Sequence, residues 1–413
     1  MTADDIIIGL DIGTANIAAV AGMRTDSGKI RILGYGNSLL PGFPGETEAE
    51  EYIEGEIKKL IEDICRRSGI EKRSVTAGLG GLLFRSHYNK VTFYRDDPEK
   101  EISLAEYERV CNCSYGMESP PGEELVAVIP GEFYLINPKP SADRPGIKAT
   151  VDRLHAGSKD RSVGIAPYLF DYSLQAAPNL KKILKTRNPV GKIAEAMMCS
   201  LLEVIGPAQL TKYISACLLK ADLALEDQII DPVASADAVL TEREKQDGVL
   251  LIDIGGEITN LIAYKNGMII DLLARPSGTK EIREKLTDLV NFALENIKNS
   301  GFPDLSKLGI VLTGSGALVK DLASFCTIKT KIKTRIGYPD LHLDSPVNKD
   351  LRSPVYSTAI GLVINGFNRR EKETSKARRL QEELSKAGSP AAFTRFVNRR
   401  MNDDTDDDQE PPF

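Results

Sequence analysis

IIIGLDIGTANIAAVAG at residues 6–22 and VLLIDIGGEITNLIAYKNG at residues 249–267 are two versions of one pattern, set 242 positions apart from Asp11 to Asp253. In each, an apolar β-rich run ends in Asp-Ile-Gly, and a second apolar run follows too soon for a helix to intervene, so each predicts a β-hairpin. Glycine at a hairpin tip lets backbone amides approach a phosphate, and the aspartate beside it can hold a hydrated Mg²⁺. Two such tips facing each other predict a phosphate clamp. A third stretch, GIVLTGSGALVKDL at 309–322, reads as a buried strand, a Gly314-Ser315-Gly316 turn and a helix, a geometry that places phosphate or ribose at a helix N-terminus.

Working outward, the 413 residues and 42% hydrophobic content suit several lobes with sizeable cores. The six cysteines include no C-x-x-C pair and the three histidines are dispersed, which argues against a disulfide framework or a zinc site. No signal peptide and no apolar run of membrane-spanning length are present, so the cytoplasm is the expected compartment. A net charge of -6 with interleaved lysines, arginines and acids argues against nucleic acid as a partner.

The first hairpin continues into a strand at 30–37 and a helix at 48–68, followed by a strand at 75–83. Residues 84–192 read differently, with short strands at 90–94 and 125–129, a helix after the cap-like Ser103 and a Pro/Gly/basic stretch at 138–146, and predict an inserted lobe. Helical spacing returns at 208–224. One amphipathic helix, 279–298, fills the interval between the second hairpin and the third glycine turn.

These stretches resemble the actin/Hsp70/hexokinase superfamily, and within it the bacterial FtsA cell-division family. The first hairpin resembles that family's first phosphate motif. LVAVIPGEFYLIN at 125–137 and NPVGK at 188–192 resemble its inserted lobe, and DPVASADAVLTEREKQDGVLLIDIGG at 231–256 resembles its interdomain helix and second phosphate motif. VLTGSGALVKDL resembles the adenosine motif, and SPVYSTAIGLVING at 353–366 the closing helix. The resemblance implies an α/β fold of duplicated actin-like, ribonuclease H-like domains around a nucleotide cleft. It divides the chain into a first domain (1–83, 206–245 and 352–368), an enlarged inserted lobe (84–205), a second domain with a reduced outer subdomain (246–351), a charged linker (369–389) and a terminal helix with an acidic tail (390–413).

It also implies ATP and Mg²⁺ as cofactors. Asp11, Gly13, Thr14, Ala15, Asn16, Asp253, Gly255, Gly256, Glu257, Thr259, Gly314, Ser315 and Gly316 are the expected nucleotide-binding residues, with Asp11 and Asp253 holding Mg²⁺ through water; no general base is assigned. The expected partners are the C-terminal tail of the tubulin-like protein FtsZ, other division proteins through the inserted lobe, further copies of the chain and an anionic membrane surface. That places the chain on the inner face of the cytoplasmic membrane at the division site. In AAFTRFVNRRM at 391–401, Phe393, Phe396, Val397 and Met401 share one helical face, with Arg395 and Arg399 toward the other. Full burial of those four side chains is worth at most roughly 6–10 kcal/mol, which predicts reversible membrane attachment.

Several positions depart from the family. Glu257 stands where glycine is expected, followed by Ile258, Thr259 and Asn260; a carboxylate about 4 Å from phosphate at an effective dielectric near 20 costs roughly 4 kcal/mol. Asn16 replaces a common lysine and Ser315 a glycine. The second outer subdomain is reduced, the 138–188 stretch enlarges the lobe, and the acidic run DDTDDDQEPPF at 403–413 would be repelled by anionic lipid. A sugar or acetate kinase, a pilus-assembly ATPase resembling PilM and a nucleotide-free scaffold remain as alternative readings.

Overall fold

The computed structural model describes residues 5–40, 46–71, 74–80, 84–116, 119–136, 183–208, 210–299, 308–345 and 348–386. The chain divides after Ile364 into two compact units.

The first unit contains two sheets. In one, β1 (Ile6–Ile12), β2 (Asn16–Arg24) and β3 (Ile30–Leu39) form an antiparallel meander, and helix α1 (Glu46–Ser68) leads to β4 (Ser74–Leu79), which lies parallel to β1. The fifth strand, β9 (Ala224–Ile230), lies parallel to β4, giving the order β3-β2-β1-β4-β9. The second sheet repeats this design. There β10 (Val249–Ile254), β11 (Thr259–Lys265) and β12 (Met268–Arg275) form the meander, β13 (Gly309–Thr313) lies parallel to β10, and β14 (Thr334–Ile336) lies parallel to β13. One strand plan is therefore used twice, and the fold is the actin-like duplication that the two hairpins predict.

Between β4 and β9 the chain makes β5 (Arg85–Tyr94), α2 (Leu104–Asn112), β6 (Glu123–Ile136), β7 (Ile183–Thr186), β8 (Ala196–Pro207) and α3 (Leu210–Lys220). Its strands extend the second sheet beyond β12, in the order β12-β5-β8-β6-β7. A segment inserted into the first repeat thus pairs with the edge of the second. The junction is the Leu273–Arg85 pair, a bond from the Ala274 amide to the Phe84 carbonyl (3.0 Å) and one from the Tyr88 hydroxyl to the Ile269 carbonyl (3.2 Å). Phe133, Leu135, Met197, Cys199 and Leu201 form the lobe's own core. Ser103 and Glu106 close a capping box at the start of α2, which satisfies amide donors that the helix itself leaves open.

The strands expected at 90–94 and 125–129 run for 10 and 14 residues. The sequence reading assigns no strand to 196–207, yet β8 is the lobe's central strand; buried on both faces, it shows no period-2 alternation.

Helix α4 (Asp231–Val239) and α5 (Glu242–Asp247) connect the two repeats, while α6 (Ile282–Asn299) and α7 (Leu322–Thr330) cover one face of the second sheet. The α4 sequence DPVASADAV begins with proline in its first turn and continues with buried small residues. Helix α8 (Ser357–Lys386) crosses it closely. A Cβ at Gly361 would stand 1.8 Å from the Ala234 carbonyl oxygen, and one at Gly9 of β1 would stand 2.2 Å from the Ala359 carbonyl oxygen. Only glycine fits at those crossings.

The 369–389 stretch, expected to be a charged linker, is helical to Lys386. It contains neither glycine nor proline before Gly388 and carries an Arg369–Glu373 pair at i,i+4 (2.9 Å). Most of the 138–188 insertion and the whole amphipathic stretch with Phe393, Arg395, Phe396, Val397, Arg399 and Met401 lie outside the described residues. Among those described, no helix is long and apolar enough to cross a membrane.

Candidate functional site

The site forms where the two repeated hairpins meet. Each tip closes identically: the Gly13 amide donates to the Asn16 carbonyl (3.0 Å) and the Gly255 amide to the Ile258 carbonyl (2.9 Å). The tips touch each other. The Glu257 amide donates to the Thr14 hydroxyl (3.2 Å), and a Cβ added at Gly256 would lie 2.2 Å from the Ala15 Cβ. The amides of Thr14, Ala15 and Gly256 donate to no acceptor among the described residues. Three open donors at two glycine-containing tips suit an anion with several oxygens.

Behind the tips lie three carboxylates. Asp11 and Asp253 end the first strands of the two repeats, and Asp231 starts α4. The Ser235 hydroxyl donates to Asp253 Oδ2 (2.5 Å) and lies 2.9 Å from the Thr358 hydroxyl, so α4 and α8 both reach this cluster. Burial, then the charge of Asp253, pushes the Asp11 carboxyl up to about 7 against a hydrogen bond from Thr358. Burial raises Asp253 to about 6, opposed by Ser235 and Thr358. Asp231 is held well above the usual carboxylate range by burial, then by Asp11 and Asp253. Its Oδ1 is buried without a hydrogen-bond partner, enclosed by the backbone at Gly78 and Gly80, where added Cβ atoms would meet its oxygens at 2.1 and 1.4 Å.

Three crowded carboxylates, one with an orphaned oxygen, suit a divalent cation. Among the described residues no three acidic, histidine or cysteine side chains are placed to ligate one ion directly. A cation placed there would be held through its water shell rather than by three direct ligands, as Mg²⁺ commonly is.

The remaining expected residues separate into two groups. Glu257 is exposed, and its contribution at the tip contact is the backbone amide rather than the carboxylate. Gly314, at φ 80°, backs directly onto Asp253, where a Cβ would be 2.4 Å from Oδ1. Ser315 and Gly316 lie in a short 3-10 turn, Ser315–Leu318, and α7 begins only at Leu322. Gly316 is packed against Ile254, where a Cβ would be 2.1 Å from the side chain. Asn16 begins β2, and its carbonyl closes the first turn. Thr259 is fully buried and its hydroxyl donates to the Ser277 carbonyl, so the structure does not bring it to the carboxylates. Asn260, directly opposite Asp253, has a buried carbonyl oxygen with no partner, as does the Ser277 hydroxyl.

Sequence reasoning missed Asp231, Ser235 and Thr358 as site residues. The available signal was an aspartate directly before proline at the start of a helix of small residues, too small to fill a core and suited to close approach.

The similarities to known proteins agree with this architecture. No family model matches the chain. The FtsA cell-division protein of Pseudomonas aeruginosa is 21% identical over 88% of this chain and 90% of its own length, and that of Borreliella burgdorferi is 22% identical over 92% and 97%. The chain is a divergent relative of FtsA. Among solved structures, a chain of the PilM-PilN type IV pilus biogenesis complex superposes at a TM-score of 0.58, with 14% identity, over 87% of this chain and 98% of that one. That likeness concerns the fold alone. The FtsA similarity, by contrast, is one of sequence and extends over most of both chains.

Proposed function

We propose that this FtsA-like chain binds ATP with Mg²⁺ between its two hairpin tips and acts as a cell-division scaffold on the inner face of the cytoplasmic membrane. The observation that carries the nucleotide part is the direct contact of Thr14 and Ala15 with Gly256 and Glu257 above two buried carboxylates, Asp231 and Asp253, and the half-buried Asp11. In this reading Gly13, Thr14, Ala15, Gly255 and Gly256 hold phosphates, Asp11, Asp231 and Asp253 hold the cation's water shell, and Gly314 to Gly316 border the nucleoside. Bound Mg²⁺ would neutralise phosphate charge. The chain's own residues bind and orient, and none is placed as a general base.

Residues 390–413 would provide the membrane attachment, with Phe393, Phe396, Val397 and Met401 in the lipid and Arg395 and Arg399 at its anionic surface. Polymerisation would add avidity to a weak individual anchor. The FtsZ tail and other division proteins are the proposed partners, the latter through the β5–β8 lobe.

The test is flotation of the full chain with lipid vesicles, with and without FtsZ and Mg-ATP, beside Phe396→Asp. Co-flotation of FtsZ that disappears in the variant supports a membrane tether. Flotation of the chain without FtsZ points to other division partners, and absence of flotation refutes the anchor. A flat titration with labelled Mg-ATP would leave a nucleotide-free scaffold.

A further inference from the structure

The end of α7 and the approach to β14 carry cations that the site does not use. In the run 328–333, Ile-Lys-Thr-Lys-Ile-Lys, Lys329, Lys331 and Lys333 are exposed, and none pairs with an acid among the described residues. Lys331 has a left-handed backbone at φ 62°, which ends α7 and turns the chain into the edge of the sheet. Apolar surface lies among these charges. Ile328 is 65% exposed, and Phe325 is flanked by Arg283 (5.4 Å to the ring centroid) and Lys329 (5.8 Å). The acid on α7's side of this face, Asp321, caps the opposite end of the helix, about 13 Å away at 1.5 Å per residue.

Lysines beside an edge strand also discourage edge-to-edge aggregation. That role does not require an exposed isoleucine and a cation-flanked phenylalanine among them. The same sequence contains a complementary segment: residues 403–413, DDTDDDQEPPF, carry six acids and then Pro-Pro-Phe. Blocks of like charge commonly serve as interaction tails, and acidic motifs are bound by basic clusters.

We propose that the Arg283, Phe325, Ile328, Lys329, Lys331 and Lys333 face receives the acidic segment 403–413 of a second copy of this chain, its acids on the lysines and Phe413 against Ile328 and Phe325. The contact is independent of nucleotide. It also removes from solution the charge that would repel anionic lipid.

The test uses fluorescence anisotropy of a labelled 402–413 peptide with the full chain, whose own acids at 403–410 are replaced by Asn and Gln. Binding should weaken about tenfold or more between 50 and 300 mM salt, as expected for exposed charge pairs. It should weaken by a similar factor in K329E/K331E/K333E and less in I328S or with a Phe413→Ala peptide. A peptide with lysines in place of its acids should bind the glutamate variant and not the parent. K329Q/K331Q/K333Q provides a second variant should charge reversal disturb folding, with the melting temperature as the check. Sedimentation velocity of the native chain should show self-association that the tail-neutralised chain lacks. Unchanged peptide binding in both lysine variants overturns the proposal. So does peptide binding without tail-dependent self-association, which would place the contact within one chain. Anionic vesicles bound through these lysines, with no peptide binding, would reassign the face to lipid.

Discussion

Replacing Gly256 with alanine tests whether the two hairpin tips act as a clamp. The backbone there does not require glycine, since φ is not in the left-handed region. The added Cβ would meet Ala15 Cβ at 2.2 Å, whereas ordinary contact is 3.4–4 Å, so the tips must separate by about 1.2–1.8 Å. The 3.2 Å bond from the Glu257 amide to Thr14 then breaks. A phosphate held from both sides at hydrogen-bond distance keeps only one side. Loss of one neutral bond costs about 1 kcal/mol and of one charge-assisted bond about 2–3 kcal/mol, which together give roughly a 10²–10³-fold weaker Mg-ATP complex. Thr14→Val, which removes the hydroxyl and keeps the shape, should weaken binding only about fivefold. Calorimetric titration of Mg-ATP into the three proteins measures both effects. The ligand-free melting temperature of Gly256→Ala should stay within about 2 °C of native, because the tips can part without exposing core. If native protein binds ATP and Gly256→Ala binds within threefold of it, the clamp reasoning fails. A large fall in the ligand-free melting temperature would also refute it, by making the contact part of the fold rather than of closure.

Asp271, buried where the inserted lobe meets β12, is raised to about 6, by burial first, against bonds from the Leu272 amide and Ser86. A carboxyl whose folded value exceeds its unfolded 3.8 gives its full stability below pH 4 and loses it as pH rises to about 6.5, here up to about 3 kcal/mol. Asp271→Asn should therefore match native stability near pH 4 and exceed it at pH 7.5, as read by urea denaturation at both pH values; equal curves at pH 7.5 would contradict this. Arg95, with its side chain 1% exposed, holds Glu106 and the carbonyls of Lys100, Glu101 and Ala194. Arg95→Leu should cost about 3–5 kcal/mol, and adding Glu106→Gln should restore part of it, because much of the loss is the stranded carboxylate. Asp231→Asn should raise the ligand-free melting temperature at pH 8 and reduce the further rise produced by Mg-ATP; an unchanged Mg-ATP increment would remove Asp231 from the cation's surroundings.

The duplicated hairpins were legible because each is local: apolar runs, a two-sided strand pattern and a glycine turn all lie within about twenty residues. The carboxylate cluster was only half legible. Asp11 and Asp253 announce themselves by position in the repeat, whereas Asp231 acquires meaning only when α4 passes between the sheets, a long-range event with no local signature. Glu257, whose charge is expected to oppose phosphate, has an exposed side chain and meets Thr14 through its amide, an orientation that the alternating faces of a hairpin leave open in the sequence. Least legible was the attachment of the lobe. Pairing of β5 with β12 uses backbone groups, which every sequence has, and one register pair, Leu273 with Arg85. Its consequence is mechanical. The lobe belongs to the first repeat by chain connection and to the second by hydrogen bonding, so parting the hairpin tips loads the junction at Asp271. A charged carboxylate there weakens the junction, whereas a protonated one supports it. The stability measured for Asp271→Asn should consequently track protease access to the β5–β12 seam, and a change in one without the other would show that the lobe follows the first repeat alone.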